Sequence, residues 1–203
     1  MKYTKHFSVL TLFLLSALSI ALITPAFAGH MSESSKSAPL AIGQIFPDEP
    51  IRGQVSPETK AYLGLDASGQ GFVLSDLTAQ VVIVEIFSMY CPYCQEEAPV
   101  TQELFSLIHT QGLDGKVKII GIGAGNTQFE VDVFHDKYGI PFPLFPDEGY
   151  AVHKACGEVG TPFFYVLAKD PKSGAYVVRH VQEGQMEGAK SFLDTVLKKT
   201  GLN

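Results

Sequence analysis

The stretch VVIVEIFSMYCPYCQEEAP, Val81 to Pro99, decides how the rest of the chain is read. Val81 to Phe87 is apolar without the polar alternation of a half-exposed strand. Both of its faces must be covered, as in the central strand of an α/β sheet. Glu85 interrupts that run, and a carboxylate inside a core strand needs a reason. Two cysteines then flank Pro92 and Tyr93, and the sequence turns acidic and helical. The spacing predicts a helix from about Pro92 to Thr110: Pro92 suits the first helical position, where its missing N–H is not needed. Pro99 is expected to kink it.

Cys91 therefore stands at a strand-to-helix junction. Unpaired N–H groups and the helix dipole favour negative charge there, so its thiol should ionise more readily than an ordinary one. Cys94 lies one turn further on, within bonding reach and more shielded. A bridge across so small a loop is a poor staple, because the entropic gain grows with loop length. The pair is left for chemistry: Cys91 attacks a substrate disulfide and Cys94 resolves the mixed disulfide. Haem attachment would need histidine after the second cysteine, and residue 95 is Gln. A zinc site would need more ligands, for which only His153 and Cys156 offer themselves. Neither a metal nor a cofactor is expected.

Glu85, six residues before Cys91 on the core strand, should lie beneath the dithiol. Burial raises a carboxyl's pKa, and one poised near neutral can take the proton of Cys94 and later return it. The alternative is a less central strand from which Glu85 reaches solvent. Further on, GTPFFYVL opens a second buried strand with Pro162, and Thr161–Pro162 is a candidate cis peptide bond. A cis proline beside the dithiol would present the Thr161 backbone to substrate. The expected catalytic set is Cys91, Cys94, Glu85 and Pro162, with Pro92, Tyr93 and Thr161 meeting substrate.

The N-terminus points to export. Lys2 and Lys5 precede an apolar segment from Phe7 to Ile23, and PAFA ends with small residues at Ala26 and Ala28, the pattern of a cleavable signal peptide over residues 1–28. An uncleaved anchor is the alternative, and with it the sole expected membrane contact. The location would be periplasmic or otherwise extracytoplasmic. Loss of the leader takes the net charge from −6 to −8, which argues against nucleic acid as a partner. Residues 29–41 form a polar lead-in expected to be flexible, and residues 42–203 one domain.

Within that domain, Ile42 to Leu65 is rich in Pro and Gly, and YLGLDASGQGF, Tyr62 to Phe72, reads as turns near a short strand at Phe72–Leu74. Strands are expected at Lys116–Gly123, within GIPFPLFPD, at TPFFYVLA and at YVVRHV, the last two forming a hairpin. Helices are expected at Thr127–Tyr138 with apolar positions Phe129, Val133 and Phe134, at Tyr150–Cys156, and at Met186–Lys199 burying Phe192, Leu193, Val196 and Leu197. The result is α/β: a mixed central sheet with helices on both faces.

A core strand carrying a buried acid, a C-x-x-C helix and a later Thr-Pro strand together resemble the thioredoxin superfamily. The export signal and N-terminal extension resemble its TlpA/ResA-like thiol-disulfide oxidoreductases, in the redoxin branch. The resemblance covers Ile42 to the C-terminus. It places Glu85 at the family's buried acid, Cys91 and Cys94 at the redox pair, and Thr161 and Pro162 at the cis-proline motif. The segment AGNTQFEVDVFHDKYGIPFPLFPD fits the group's strand–helix insert. The resemblance implies a thioredoxin-like three-layer fold, protein dithiol or disulfide substrates and a membrane electron donor. Two features depart from it: Pro-Tyr between the cysteines is the glutaredoxin dipeptide, and Met89 and Tyr90 stand where tryptophan is common.

Two rival functions remain. SMYCP partly matches a peroxiredoxin signature, with Ser88 three residues before Cys91, although Val84 stands where that signature has proline. A copper-binding assembly factor would use Cys91, Cys94 and a histidine. GIGAGN, Gly121 to Asn126, hints at a dinucleotide loop but has Asn126 where the fingerprint needs glycine. Cys156 is either a small buried apolar residue or a third redox centre. His109, His135, His153 and His180 are scattered and read as surface or packing residues. The acidic character and Glu85 predict the reducing direction.

Overall fold

A computed structural model describes residues 38–66 and 71–202. The signal-peptide segment and residues 29–37 of the lead-in lie outside the described residues. The element order is β1 (Ile51–Arg52), α1 (Pro57–Leu63), β2 (Gly71–Phe72), β3 (Val81–Phe87), α2 (Pro92–Thr110), β4 (Val117–Ala124), α3 (Gln128–Tyr138), β5 (Leu144–Asp147), α4 (Ala151–Ala155), β6 (Phe163–Lys169), β7 (Tyr176–Glu183) and α5 (Ala189–Thr200). Five strands form one sheet in the order β5-β4-β3-β6-β7, with β3, β4 and β5 parallel and β6 and β7 antiparallel to their neighbours. β3 is central, and all seven of its residues are buried, Glu85 included.

Alternation along β3 sorts its side chains into two layers. Val82, Val84 and Ile86 pack with Leu63 of α1, Val152 of α4 and the small two-stranded β1–β2 sheet. Val81, Ile83 and Phe87 pack with the inward faces of α2, α3 and α5. Helices therefore cover both faces of the sheet, as expected. The α3–β5 segment adds a parallel strand beyond β4, so the predicted insert extends the sheet on that side. On the opposite side, residues 43–46 run along the outer edge of β7. Gly43 N–H donates to Val178 O at 2.8 Å and Phe46 N–H to Tyr176 O at 2.8 Å, which covers an otherwise open strand edge.

α2 presents Cys94, Glu97, Ala98, Thr101, Leu104 and Ile108 inward at helical spacing. The helix continues through Pro99, which lies on its exposed side, where water can serve the carbonyl that proline leaves unpaired.

Four sequence expectations need correction. Residues 57–63, in a Pro- and Gly-rich stretch for which no helix is expected, are helical: Ser56 caps the helix by accepting the Thr59 N–H at 3.1 Å, and Gly64 closes it with φ +67°. The short strand is Gly71–Phe72, because Leu74–Asp76 winds into a 3₁₀ turn. In α3 the inward residues are Val131 and Phe134, whereas Phe129 is 74% exposed. α5 starts at Ala189 rather than Met186, because the Met186 N–H is drawn into a tertiary hydrogen bond with Glu97 at 3.0 Å.

Candidate active site

A tight turn at the end of β3 carries the chain into α2. Cys91 N–H donates to Ser88 O at 3.0 Å, and Cys91 is the helix N-cap residue, with extended backbone angles. Pro92 occupies the first turn, as its sequence position predicts. Cys91 is partly exposed and Cys94 fully buried; both are free thiols.

Cys91 Sγ lies 3.2 Å from the carbonyl oxygen of Thr161, and the Thr161–Pro162 bond is cis. The structure thus brings the start of α2 and the start of β6 together, although 70 residues separate Cys91 from Thr161. Pro162 is buried and Thr161 half-buried at this junction. Pro92 and Tyr93 face solvent beside the sulfur, Tyr93 with 61% of its surface exposed.

The two thiols are electrically unlike. Burial alone pushes Cys91 upward. Hydrogen bonding from the Thr161 side chain, from Cys94 and from the Tyr93 N–H outweighs it, and the thiol lies below its ordinary value. Cys94 is pushed above the ordinary thiol range, first by burial and then by the charges of Glu85 and Cys91, with the Ser88 N–H acting the other way. One sulfur is prepared to ionise, and its neighbour is held protonated.

Glu85 shares the α2-facing layer of β3 and is 4% exposed. Burial, and next the like charge of Glu97, raises its pKa to about 8. The solvent-reaching alternative for Glu85 does not hold, because both sheet neighbours pair with it, Gly121 on β4 and Phe164 on β6.

Glu97 is a site residue that the sequence analysis missed. It is 1% exposed, its Oε1 accepts the Met186 N–H at 3.0 Å, and burial raises its pKa. Its position three residues after Cys94 was the available signal, since that spacing puts both on one helix face.

His153 and Cys156 do not join the dithiol as ligands. His153 Nε2 is 2.8 Å from Val159 O, and Cys156 Sγ donates to His153 O at 3.4 Å. Among the described residues no group of three or more His, Cys, Asp or Glu side chains is arranged to hold a metal, and no helix is long and apolar enough to cross a membrane.

Comparison with known proteins gives the class. The AhpC/TSA family profile matches residues 53–181, and the chain belongs to that family. The thiol-disulfide oxidoreductase ResA of Bacillus thuringiensis (strain Al Hakam) is 27% identical over 135 residues, 66% of this chain and 76% of its own. ResA of Geobacillus thermodenitrificans is 24% identical over 191 residues, 93% of each chain. The thioredoxin domain of a thiol-disulfide oxidoreductase from Bacteroides vulgatus superposes with a TM-score of 0.54 at 18% identity, covering 78% of this chain and 97% of its own. The fold is thioredoxin-like, and the chain is a TlpA/ResA-like thiol-disulfide oxidoreductase.

Proposed function

We propose that this is an exported thiol-disulfide oxidoreductase that reduces disulfides in protein substrates through Cys91 and Cys94. The observation that carries the reading is the asymmetry of two thiols one helical turn apart, the outer depressed and the inner raised.

In the reducing direction the Cys91 thiolate attacks one sulfur of the substrate disulfide. That S–S bond breaks, the leaving substrate thiolate takes a proton, and Cys91 is joined to the other substrate sulfur. The Cys94 thiol then gives its proton to the Glu85 carboxylate, directly or through one water, and attacks the Cys91 sulfur. The second substrate thiolate leaves and is protonated, and the enzyme is left as a Cys91–Cys94 disulfide. Two electrons must then return from an external dithiol donor, and a membrane electron donor fits an exported enzyme. Pro92, Tyr93 and Thr161 line the approach to Cys91, and Pro162 shapes it.

The electrostatics favour reduction. A strong oxidant of this class stabilises its reduced form through a deeply acidic thiol. Here Cys91 is lowered against an opposing burial effect, and the nearby acids disfavour a thiolate at Cys94. The reduction potential is the test. A value near the thioredoxin end of the scale, about −270 mV, is expected; one above about −180 mV would reverse the assigned direction. Rapid consumption of peroxide by the reduced protein would instead favour a thiol peroxidase. Tight Cu(I) binding by Cys91 and Cys94 would favour a metal-handling role.

A further inference from the structure

The turn that presents Cys91 is gripped from outside its own helix. Met89 N–H donates to Asn126 Oδ1 at 2.8 Å, and Met89 O accepts from Gln95 Nε2 at 2.8 Å. The next residue, Tyr90, donates its hydroxyl to Glu130 in the first turn of α3. The nucleophile turn is thus tied to the β4–α3 loop at one side and to α2 at the other.

Asn126 is an unusual residue to find there. It is wholly buried, and among the described residues its Nδ2 is the buried side-chain polar atom without a hydrogen-bond partner. A buried donor left unpaired is destabilising. An apolar residue of similar size would avoid the penalty, but it could not accept the Met89 N–H. The orientation of the amide follows from that bond, because Met89 N is a donor and must meet the oxygen.

The glycines around it clear the space. A Cβ at Gly123 would lie 3.1 Å from both Cβ and Oδ1 of Asn126 and 2.9 Å from Val131 Cγ2. Gly125 has φ +67°, and a Cβ there would run into the Tyr150 hydroxyl. The GIGAGN motif, which reads in isolation as a fragment of a dinucleotide loop, is here the seat of one buried asparagine.

We propose that Asn126 is a positioning residue for the attack of Cys91, holding the Ser88–Tyr90 turn so that the sulfur sits at the start of α2. The proposal rests on the reading of Cys91 as the nucleophile. It adds a residue that touches neither substrate nor sulfur and acts through the Met89 backbone. Cys94 on its own helix acts on Cys91, and Glu85 from β3 acts on Cys94 in turn; Asn126→Ala alters neither.

The test is alkylation of Cys91 by iodoacetamide as a function of pH, followed on the Cys91 peptide by mass spectrometry. It is run in full-length Cys94→Ser protein with and without Asn126→Ala. Release of the turn is expected to move the profile about one unit toward alkaline pH. The thiolate fraction then falls about tenfold near neutral pH while each thiolate becomes roughly threefold more nucleophilic, so the rate drops about threefold. Gln95→Ala, which frees the same residue from the half-exposed side, should shift the profile in the same direction by less. An unchanged Asn126→Ala profile accompanied by a lower melting temperature would show that the residue only packs the loop and would overturn the proposal. If Asn126→Ala does not fold, an unmoved profile in Gln95→Ala overturns it instead. A Cys91 profile typical of an ordinary thiol in the reduced wild-type protein would remove the nucleophile reading, and this proposal with it.

Discussion

Cys94 and Cys156 are both fully buried, yet they lie in opposite layers of the same sheet and have different prospects. Burial raises both thiols, Cys156 to about 12 with the Asp147 charge adding to it. Around Cys94 stand a second sulfur at a helix start and two buried carboxyls, Glu85 and Glu97. Around Cys156 there is a closed backbone network: its Sγ bonds His153 O, and its carbonyl accepts the Tyr165 hydroxyl at 2.5 Å. Burial by itself makes a thiol inert. A partner sulfur and a nearby proton acceptor turn the same burial into a resolving group. Of the two readings left open for Cys156, the small buried apolar residue is the one its surroundings support.

The sharpest way to break this contrast is to remove one sulfur from each region. Cys91→Ser is expected to lower the rate of insulin disulfide reduction on the order of a thousandfold or more. Cys156→Ala should leave that rate within about twofold and lower stability by roughly 1–2 kcal/mol, read from denaturant unfolding. A Cys156 variant that loses activity without losing its fold would mean that the two layers do not differ as described.

Glu85→Gln should have the next largest effect. Loss of the proton acceptor is expected to slow exchange about a hundredfold near neutral pH. Stability should change in the opposite sense. The folded protein holds the Glu85 proton up to about pH 8, whereas the unfolded chain releases it near 4.5. Stability is therefore unaffected by this group at acid pH, falls as pH rises between those values, and stays low above about 8; the loss is at most about 5 kcal/mol. The Gln variant should lose less melting temperature than the parent between pH 5 and 9, and an identical pH dependence would place Glu85 outside the titrating core.

Glu97→Gln is the mildest expected change. Glutamine keeps an oxygen for the Met186 N–H but removes the like charge that helps raise Glu85. The pH–rate profile should move to lower pH with a small change in maximal rate, and steady-state kinetics across pH would show it.

Much of this is legible in the sequence, and the exceptions have separate causes. β3 and α2 were read at their observed bounds because an unbroken apolar run and a proline-opened helix are local signals. The Cys91–Thr161 approach was anticipated through the Thr-Pro motif. α1 was lost because Pro57 and Gly64 read as turn residues, although Ser-Pro-Glu at one end and glycine at the other is also how a capped helix looks. Phe129 is one of the apolar positions expected in α3, but Val131 and Phe134 face the core and leave it outside. Glu97 and Asn126 were missed for a deeper reason. Both are polar residues whose hydrogen-bond partners, Met186 and Met89 respectively, are distant in sequence; helical spacing puts Glu97 on the face of Cys94, but no local pattern gives either partner.

Trapping the mixed disulfide tests the central claim most directly. Cys94→Ser protein, reduced and mixed with a disulfide-bonded protein substrate, should accumulate a covalent complex joined through Cys91, identified by peptide mass spectrometry. A complex joined through Cys94 in the Cys91→Ser protein, with none in Cys94→Ser, would contradict the assignment of attacker and resolver.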